Sequence, residues 1–451
     1  MLDELVAAID NRSSHGIAAA IGRLASAGAL PVGTRLPTVR ELARALGVSP
    51  TTVGEAWKLL AAVGVIDARG RQGTFVRVPP GPGGDHRYQR TTAGPATFAL
   101  DLSTGFPDPR LLPELGPVLA EVSRQPLTSS YRDRPVLPAL RDHLLATWPF
   151  AAEELTVVDG ALDAIDRVAR EVVRLGDRVV VEDPTYPPVL DLFEQLGAEV
   201  IGVRFDADGI SLAELASALE YQPRLLFLQP RAHNPTGTSM TAERARAVAR
   251  LLAPGTTLVL EDDHSGDVAT SGAVSIGTWL PDRTVHVRGY AKSHGPDLRL
   301  AALGGAADVV DAVTDRRLLG PAWSSRILQA VLLTLLTDPA AIATVAAARD
   351  EYARRRRVVA TALAERGVAT GGTDGLNMWV PVIDERDALV ALAAQGIGAA
   401  AGEPFGVRPG SDHIRLTVGL VHGPEAAVTE LADRVAAAAA PLGPWRGRHP
   451  A

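Results

Sequence analysis

The sequence predicts an α/β chain in two parts: a helix-turn-helix module with a two-stranded wing, then a larger domain on a mostly parallel sheet sandwiched by helices. Three observations carry this. Short helix signals fill the first 78 residues, a Pro- and Gly-rich run follows, and from Ala99 short β-branched runs alternate with helix-length segments. With 451 residues and 46% hydrophobic content, the chain is long enough for two or three domains with a full-sized core. The expected boundaries are a module at 1–78, a linker at 79–98 and a domain at 99–451 with a smaller αβ subdomain at about 340–440.

In the first module, Ile17 to Leu24 is apolar at helical spacing, and Gly28, Pro31 and Gly33 end that helix. Thr38 stands as the cap of the next helix, with Glu41 placed to close a capping box. Leu42, Ala45 and Leu46 are its expected inner face, and Gly47 stops it. Ser49-Pro50 opens a third helix, with serine as cap and proline in the first turn, where its missing N–H costs nothing. A helix-turn-helix puts the N-terminal end of this last helix into the major groove. Thr51, Thr52 and Glu55 are therefore expected to face DNA, while Val53, Ala56, Leu59 and Leu60 face the core. Arg35 and Arg40 are placed to meet phosphates. Val65 to Ala68 and Gly73 to Val76 alternate like two strands around Arg69-Gly70-Arg71, a wing with a basic tip. Residues 1–78 carry nine Lys/Arg and six Asp/Glu, a balance of +3 that leaves −10 for the rest of a chain of net charge −7. A basic head on an acidic body suits a nucleic-acid reader joined to something else.

This module resembles the winged helix-turn-helix of GntR-type bacterial regulators, on Gly33-Thr34-Arg35-Leu36-Pro37-Thr38-Val39-Arg40-Glu41-Leu42-Ala43 and Gln72-Gly73-Thr74-Phe75-Val76. The resemblance implies Arg35, Thr38, Arg40, Ser49, Thr51, Thr52, Lys58, Arg71 and Gly73 as residues against double-stranded DNA. Gly54 departs from the pattern, since the family often carries a larger residue there. Pro79-Pro80-Gly81-Pro82-Gly83-Gly84 opens the linker, expected to be an exposed tether.

In the larger domain, strands are expected at Thr156 to Val158, Arg178 to Val181, Val200 to Val203, Leu225 to Leu228, Thr257 to Leu260 and Thr284 to Val287. Ligand sites in such sheets lie beyond the carboxyl ends of the strands. After the first run, the glycine turn Asp159-Gly160-Ala161-Leu162 opens a helix whose free N–H groups suit a phosphate. After the second, Tyr186 suits stacking on a planar ring. Asn234, in Asn234-Pro235-Thr236-Gly237, carries an amide able to donate to a phenolic oxygen. Asp262, after the fifth run, suits a protonated ring nitrogen. After the sixth comes Lys292, one of only two lysines, with Arg299 as a fixed fork for phosphate. In this order, these are the parts a pyridoxal phosphate site requires.

From about Ala99 the chain resembles the fold-type I, class I/II aminotransferases, and with the winged module in front the whole resembles a MocR-type regulator. That implies a fold-type I PLP-dependent transferase domain in which Lys292 holds pyridoxal 5'-phosphate as a Schiff base. Asp262 would meet the ring nitrogen, Asn234 the 3-oxygen and Tyr186 the ring face, while Gly160, Ala161, Leu162 and Arg299 cradle the phosphate. Tyr131 resembles the tyrosine that reaches a neighbouring subunit's phosphate, and Arg415 the arginine that grips a carboxylate. Three departures stand out: His264 replaces a tyrosine on the 3-oxygen, Gly289 and Ala291 replace serines, and Asp159 brings a negative charge beside the phosphate turn.

The expected function is a homodimeric transcription regulator that senses pyridoxal phosphate, an amino compound, or both. The alternative is an active aminotransferase with a DNA-binding extension, and a third option is a binding protein that has lost its cofactor. Zero cysteines exclude disulfides, thiolate metal sites and a cysteine nucleophile, and no metal is expected. No secretory signal pattern opens the chain, and Asp338-Pro339 breaks the apolar stretch after Arg326, so no membrane and a cytoplasmic address are expected. Toward the C-terminus a long helix from Glu351 to Arg366 is expected, with strands around Leu376 to Val382 and Ile414 to Val418. Arg354 to Arg357 is expected as a solvated helix face, and Ala436 to Ala440 as a frayed helix end.

Overall fold

The computed structural model describes residues 2–9, 11–26, 29–31, 33–62, 65–68, 73–76, 86–91, 98–125, 130, 133–408 and 410–439. Arg71, the wing tip, Tyr131 and most of the linker lie outside the described residues. The chain forms two compact units.

The first unit holds helices α1 (Leu2–Ala8), α2 (Ser14–Ser26), α3 (Val39–Leu46) and α4 (Pro50–Ala62) and strands β1 (Ile66–Ala68) and β2 (Thr74–Val76). Helix α1 was not expected. Its Leu5 is 1% exposed and joins Ile17, Ile21, Leu42, Leu46, Val53 and Leu60 in one core, so a single turn-rich segment is fixed by packing rather than by its own propensity. Thr38 caps α3 in a complete capping box, and Gly47 ends the helix at φ 67, a left-handed conformation glycine adopts freely. The buried face of α3 is Leu42, Ala43 and Leu46, with Ala45 exposed, so Ala43 takes the place expected for Ala45 on the inner face. Strands β1 and β2 pair antiparallel with Asp67 opposite Phe75.

In the second unit, the stretch read as a tether contains helix α5 (Arg87–Thr91), whose Arg87 pairs with Asp191 at 3.0 Å. Then follow β3 (Leu100–Asp101), α6 (Leu115–Val122), α7 (Pro138–Ala146), β4 (Glu154–Val158), α8 (Ala161–Val172), β5 (Arg178–Glu182), α9 (Pro187–Gln195) and β6 (Glu199–Val203). A small hairpin, β7 (Phe205–Asp206) and β8 (Gly209–Ile210), leads to α10 (Leu212–Leu219), β9 (Leu225–Leu228), α11 (Ala242–Leu252), β10 (Leu258–Asp263), β11 (Thr284–Gly289) and β12 (Ala301–Gly305). The sheet order is β4-β12-β11-β10-β9-β5-β6. Only β12 runs against its neighbours, so the other six strands end at the same edge. Strand β12 was not foreseen, because Ala301-Ala302-Leu303-Gly304-Gly305 has no β-branched residue. Gly304 is required there by close approach, since a Cβ would lie 3.0 Å from the Trp148 ring.

Helices α12 (Ala307–Leu318), α13 (Arg326–Thr337) and α14 (Pro339–Ala364) lead to the smaller part: β13 (Met378–Pro381), α15 (Glu385–Ala393), β14 (Ile397–Gly398), β15 (Ala400–Ala401), β16 (His413–Leu416) and α16 (Glu425–Ala439). Helix α14 begins at Pro339, well before the expected Glu351, because Asp338 caps it. Helix α16 is regular to Ala439, which is buried, rather than frayed; Ala440 lies outside the described residues. The arginine run on α14 is a correction. Arg354 and Arg357 are exposed, but Arg355 and Arg356 are buried at 7% and 2%. Arg355 donates to Asp108 at 2.8 Å, and Arg356 donates to the carbonyls of Thr236, Gly372 and Asn377, because a helix turned every 100° sends adjacent side chains to different faces. Among the described residues no single helix is long and apolar enough to cross a membrane.

Candidate cofactor site and DNA-reading surface

Several sequence-predicted residues of the large domain follow the parallel strands at their common edge, while Arg415 comes from β16. Asp262 lies at the end of β10, 2% exposed. Its Oδ2 accepts a hydrogen bond from Gln229 Nε2 at 2.8 Å, while Oδ1 is buried without a partner. Burial, reinforced by the neighbouring Asp263 charge, pushes this carboxyl up to about 7, against the pull of the Gln229 bond and the Lys292 charge. A buried carboxylate oxygen without a donor is costly, so this atom calls for a protonated partner from outside the chain.

Gln229, which the sequence reading missed, holds two of these groups at once. Its Oε1 accepts from the Asn234 backbone N–H at 3.0 Å while its Nε2 donates to Asp262. A polar residue directly after the apolar run Leu225 to Leu228 was the available signal. Asn234 Oδ1 in turn accepts from Asn377 Nδ2 at 3.2 Å and from Arg415 Nη1 at 3.5 Å. Behind Gln229, the buried Glu182 accepts from its backbone N–H at 2.7 Å, and burial pushes Glu182 up to about 8.

Lys292 follows β11 in the turn led by Tyr290. Its amine donates to the Gly105 carbonyl, and Arg415 donates to the Ser103 carbonyl of the same loop. Burial first, then the Arg415 charge, bring the Lys292 amine down to about 8, with Asp262 opposing. More of the amine is then unprotonated and nucleophilic near neutral pH than for an ordinary lysine, as an anchor for an aldehyde requires. Gly105 leaves room for the grip, since a Cβ there would stand 3.2 Å from Arg415 Nη1.

The phosphate end is a cradle of small residues. Gly160 caps α8 at φ 111 with no side chain satisfying the first turn, and a Cβ on it would stand 3.3 Å from Arg299 Nη2. Arg299 is exposed and itself left-handed at φ 47, a strained backbone that turns its guanidinium toward this helix start. Gly289 closes the cradle, its Cβ position 3.5 Å from Ala161 Cβ. The charge of Asp159 does not stand against the cradle unopposed: its Oδ2 takes a hydrogen bond at 3.2 Å from Arg317, a fully buried arginine the sequence reading did not single out. Leu162 is exposed at the start of α8, and Tyr186 is half-buried beyond β5. His264 Nε2 is buried without a partner, and burial holds the imidazole neutral, down to about 4. An orphaned carboxylate oxygen, an orphaned imidazole nitrogen, a buried amine and an open helix start with a guanidinium are together the donor set that pyridoxal phosphate needs.

In the winged module, Ser49 Oγ accepts from the Thr52 N–H at 3.1 Å and caps α4. Thr51, Glu55 and Lys58 are exposed on that helix, with Lys58 and Glu55 paired at 2.8 Å, while Val53, Ala56, Trp57 and Leu60 are buried. Nothing lies within 4 Å of a Cβ built on Gly54, so the helix is smooth at that position. Gly73, at φ 111, lets the wing pass over Arg35, whose Nε would stand 2.7 Å from a Cβ. Arg35 is thereby held beside the wing, exposed like Thr38 and Arg40.

The family model for aminotransferases of class I and II matches residues 99–435, and that for bacterial regulatory proteins of the gntR family matches residues 13–76. The chain belongs to the MocR-type regulators, gntR modules fused to a class I and II aminotransferase domain. Among its relatives, the vitamin B6 salvage pathway transcriptional repressor PtsJ of Salmonella typhimurium is 34% identical over 92% of this chain and 96% of its own length. The HTH-type transcriptional regulator TauR of Rhodobacter capsulatus is 28% identical over 83% of this chain and 85% of its own. The large domain shares its fold with the α-aminoadipate aminotransferase LysN of Thermus thermophilus, at TM-score 0.68 and 19% identity, covering 75% of this chain and 91% of that one. It shares it equally with a multiple-substrate aminotransferase of Thermococcus profundus, at TM-score 0.69 and 21% identity over 76% and 92%.

Proposed function

We propose that Lys292 anchors the cofactor of a pyridoxal 5'-phosphate-dependent, DNA-binding regulator of transcription, and that filling this site changes how tightly the winged module holds double-stranded DNA. The observation that carries the anchor is the pairing of a depressed amine at Lys292 with an orphaned Oδ1 on buried Asp262. When bound, pyridoxal phosphate supplies an aldehyde that links to amines and a ring that withdraws electrons. Asp262 Oδ1 would meet the ring nitrogen. Asn234 and His264 would lie toward the phenolic oxygen and Tyr186 toward the ring. Gly160, Ala161, Leu162 and Arg299 would hold the phosphate, and Arg415 would orient the carboxylate of an amino-compound effector. In the winged module, Thr51, Thr52 and Ser49 approach bases and backbone at the start of α4, while Arg35, Thr38, Arg40, Lys58, Arg71 and Gly73 sit along the phosphates.

The chain works in the cytoplasm as a homodimer, since a winged helix reads paired half-sites and Tyr131 would complete the neighbour's phosphate cradle. That the relative PtsJ is a transcriptional repressor of the vitamin B6 salvage pathway favours the cofactor itself as the signal over an amino compound. A ligand shifts such an equilibrium only by its differential affinity for the two states, so pyridoxal phosphate must bind the DNA-holding and DNA-free forms unequally. The anchor is tested by adding pyridoxal phosphate, reducing with borohydride and mapping the adduct by mass. A single modified peptide containing Lys292 is expected, and an unmodified Lys292 under these conditions overturns the anchor.

A further inference from the structure

Behind the Lys292 turn lies a cavity of about 610 Å³ whose lining includes none of the residues placed around the cofactor above. This volume is in the range that holds a small organic molecule. One wall is apolar, formed by Leu336, Ile342, Val345 and Ala346 of α13 and α14. The facing wall carries Arg231, Arg288 and Asp267, together with Tyr290 and His294, while Arg349 stands on α14 beside the apolar residues.

The three arginines of the lining differ in what holds them. Arg231 is spent on Asp263, which it grips through Nε at 3.0 Å and Nη2 at 2.6 Å. Arg288 donates to Thr147, lies 4.8 Å over the Trp148 ring, and its charge acts on the Tyr290 hydroxyl and on Asp263. Arg349 meets only its exposed neighbour Asp350 at 3.3 Å, a contact that solvent screens. Asp267 lines the same cavity and, with Asp263 and Asp374, faces Arg231. Tyr290 adds a second observation. It is 1% exposed, and its hydroxyl lies in this lining with no hydrogen-bond partner. A buried hydroxyl without a partner is a cost that an acceptor on a ligand would remove.

We propose that this cavity is a second ligand site, separate from the cofactor site, taking a small organic monoanion with an apolar body. The carboxylate lies between Arg288, Arg349 and the Tyr290 hydroxyl, and the hydrocarbon lies on the wall of α14. The position also suits an effector. Tyr290 and His294 flank Lys292 on one turn, closed by the His294 N–H donating to the Tyr290 carbonyl at 2.8 Å.

The test is titration calorimetry on the full-length, cofactor-loaded protein with 4-methylpentanoate, which has neither amine nor carbonyl to react with the cofactor. Millimolar binding is expected, and it is retained in Arg415→Gln and in Lys292→Ala assayed without cofactor. It should fall roughly tenfold or more in Arg288→Gln and in Arg349→Gln, the loss expected for one charge-assisted hydrogen bond. Ala346→Phe, which fills the cavity, should abolish it, and retained visible cofactor absorption shows that this variant is folded. If Ala346→Phe does not fold, the Arg349→Gln comparison decides alone, because that side chain is half-exposed. No heat at 20-fold molar excess and millimolar protein, or binding lost in Arg415→Gln but kept in Arg349→Gln and Ala346→Phe, overturns the proposal. Binding in Lys292→Ala is scored apart from any cofactor adduct, so this result and the anchor fail independently.

Discussion

In the winged module, Arg35, Arg40 and Lys58 stand exposed. In the large domain Arg317, Arg355, Arg356 and Arg415 are buried, and burial lowers the pKa of Lys292, Arg317 and Arg356, the last to about 10. The difference follows from what each charge must do. A cation that meets a polyanion gains by releasing counterions, which requires hydration, reach and little fixed geometry. A cation inside the domain must be held in place, and it is: Arg356 by four carbonyls, Arg355 by Asp108, Arg317 by Asp159. The exposed set should therefore respond to salt, and the buried set to substitution and pH.

The largest expected effect is on the buried side. Asp262→Ala should weaken pyridoxal phosphate binding by roughly a hundredfold, because it removes the buried partner of a charged ring nitrogen. Titration followed by visible absorption measures it, and a change under threefold would break the contrast. Next is pH. The neutral amine is the nucleophile and the protonated amine is inert, so adduct formation should rise with pH and level off above a midpoint near 8. Arg415→Gln removes a charge that lowers this midpoint and should move it upward, which stopped-flow absorption would show.

Smaller effects are expected on the exposed side. Arg40→Ala should weaken DNA binding several-fold and reduce the slope of log affinity against log salt by about 1, uniformly across sequences. An unchanged slope would remove Arg40 from the phosphate set. The smallest effect is local: Thr38→Ala deletes the capping box of α3 and should cost about 1 kcal/mol in urea unfolding of the module.

The sequence made legible what depends on neighbours in the chain. The capping box at Thr38 and Glu41, the cap at Ser49 and the residues after each apolar strand are read from a few positions at a time. What depends on distant partners was not legible. Nothing near Arg355 announces that it reaches Asp108, 247 residues away, so the arginine run looked solvated. Gln229 looks like an ordinary strand end until Asp262 and Asn234 are seen on its two amide atoms. The inner face of α3 was missed by one residue, since Ala43 and Ala45 are equally apolar and only the tertiary core chooses between them. Strand β12 escaped because close packing against Trp148 selects glycine over the residues that mark a strand.

The central claim is that the amine at Lys292 connects cofactor chemistry to DNA affinity. Its most direct test is a DNA-binding titration on fragments recovered by selection from genomic DNA, with and without pyridoxal phosphate, for the natural protein and for Lys292→Ala. The account predicts an affinity that changes with the cofactor in the natural protein and one insensitive to it in the variant, with DNA binding itself retained. An equal cofactor response in both proteins would contradict it.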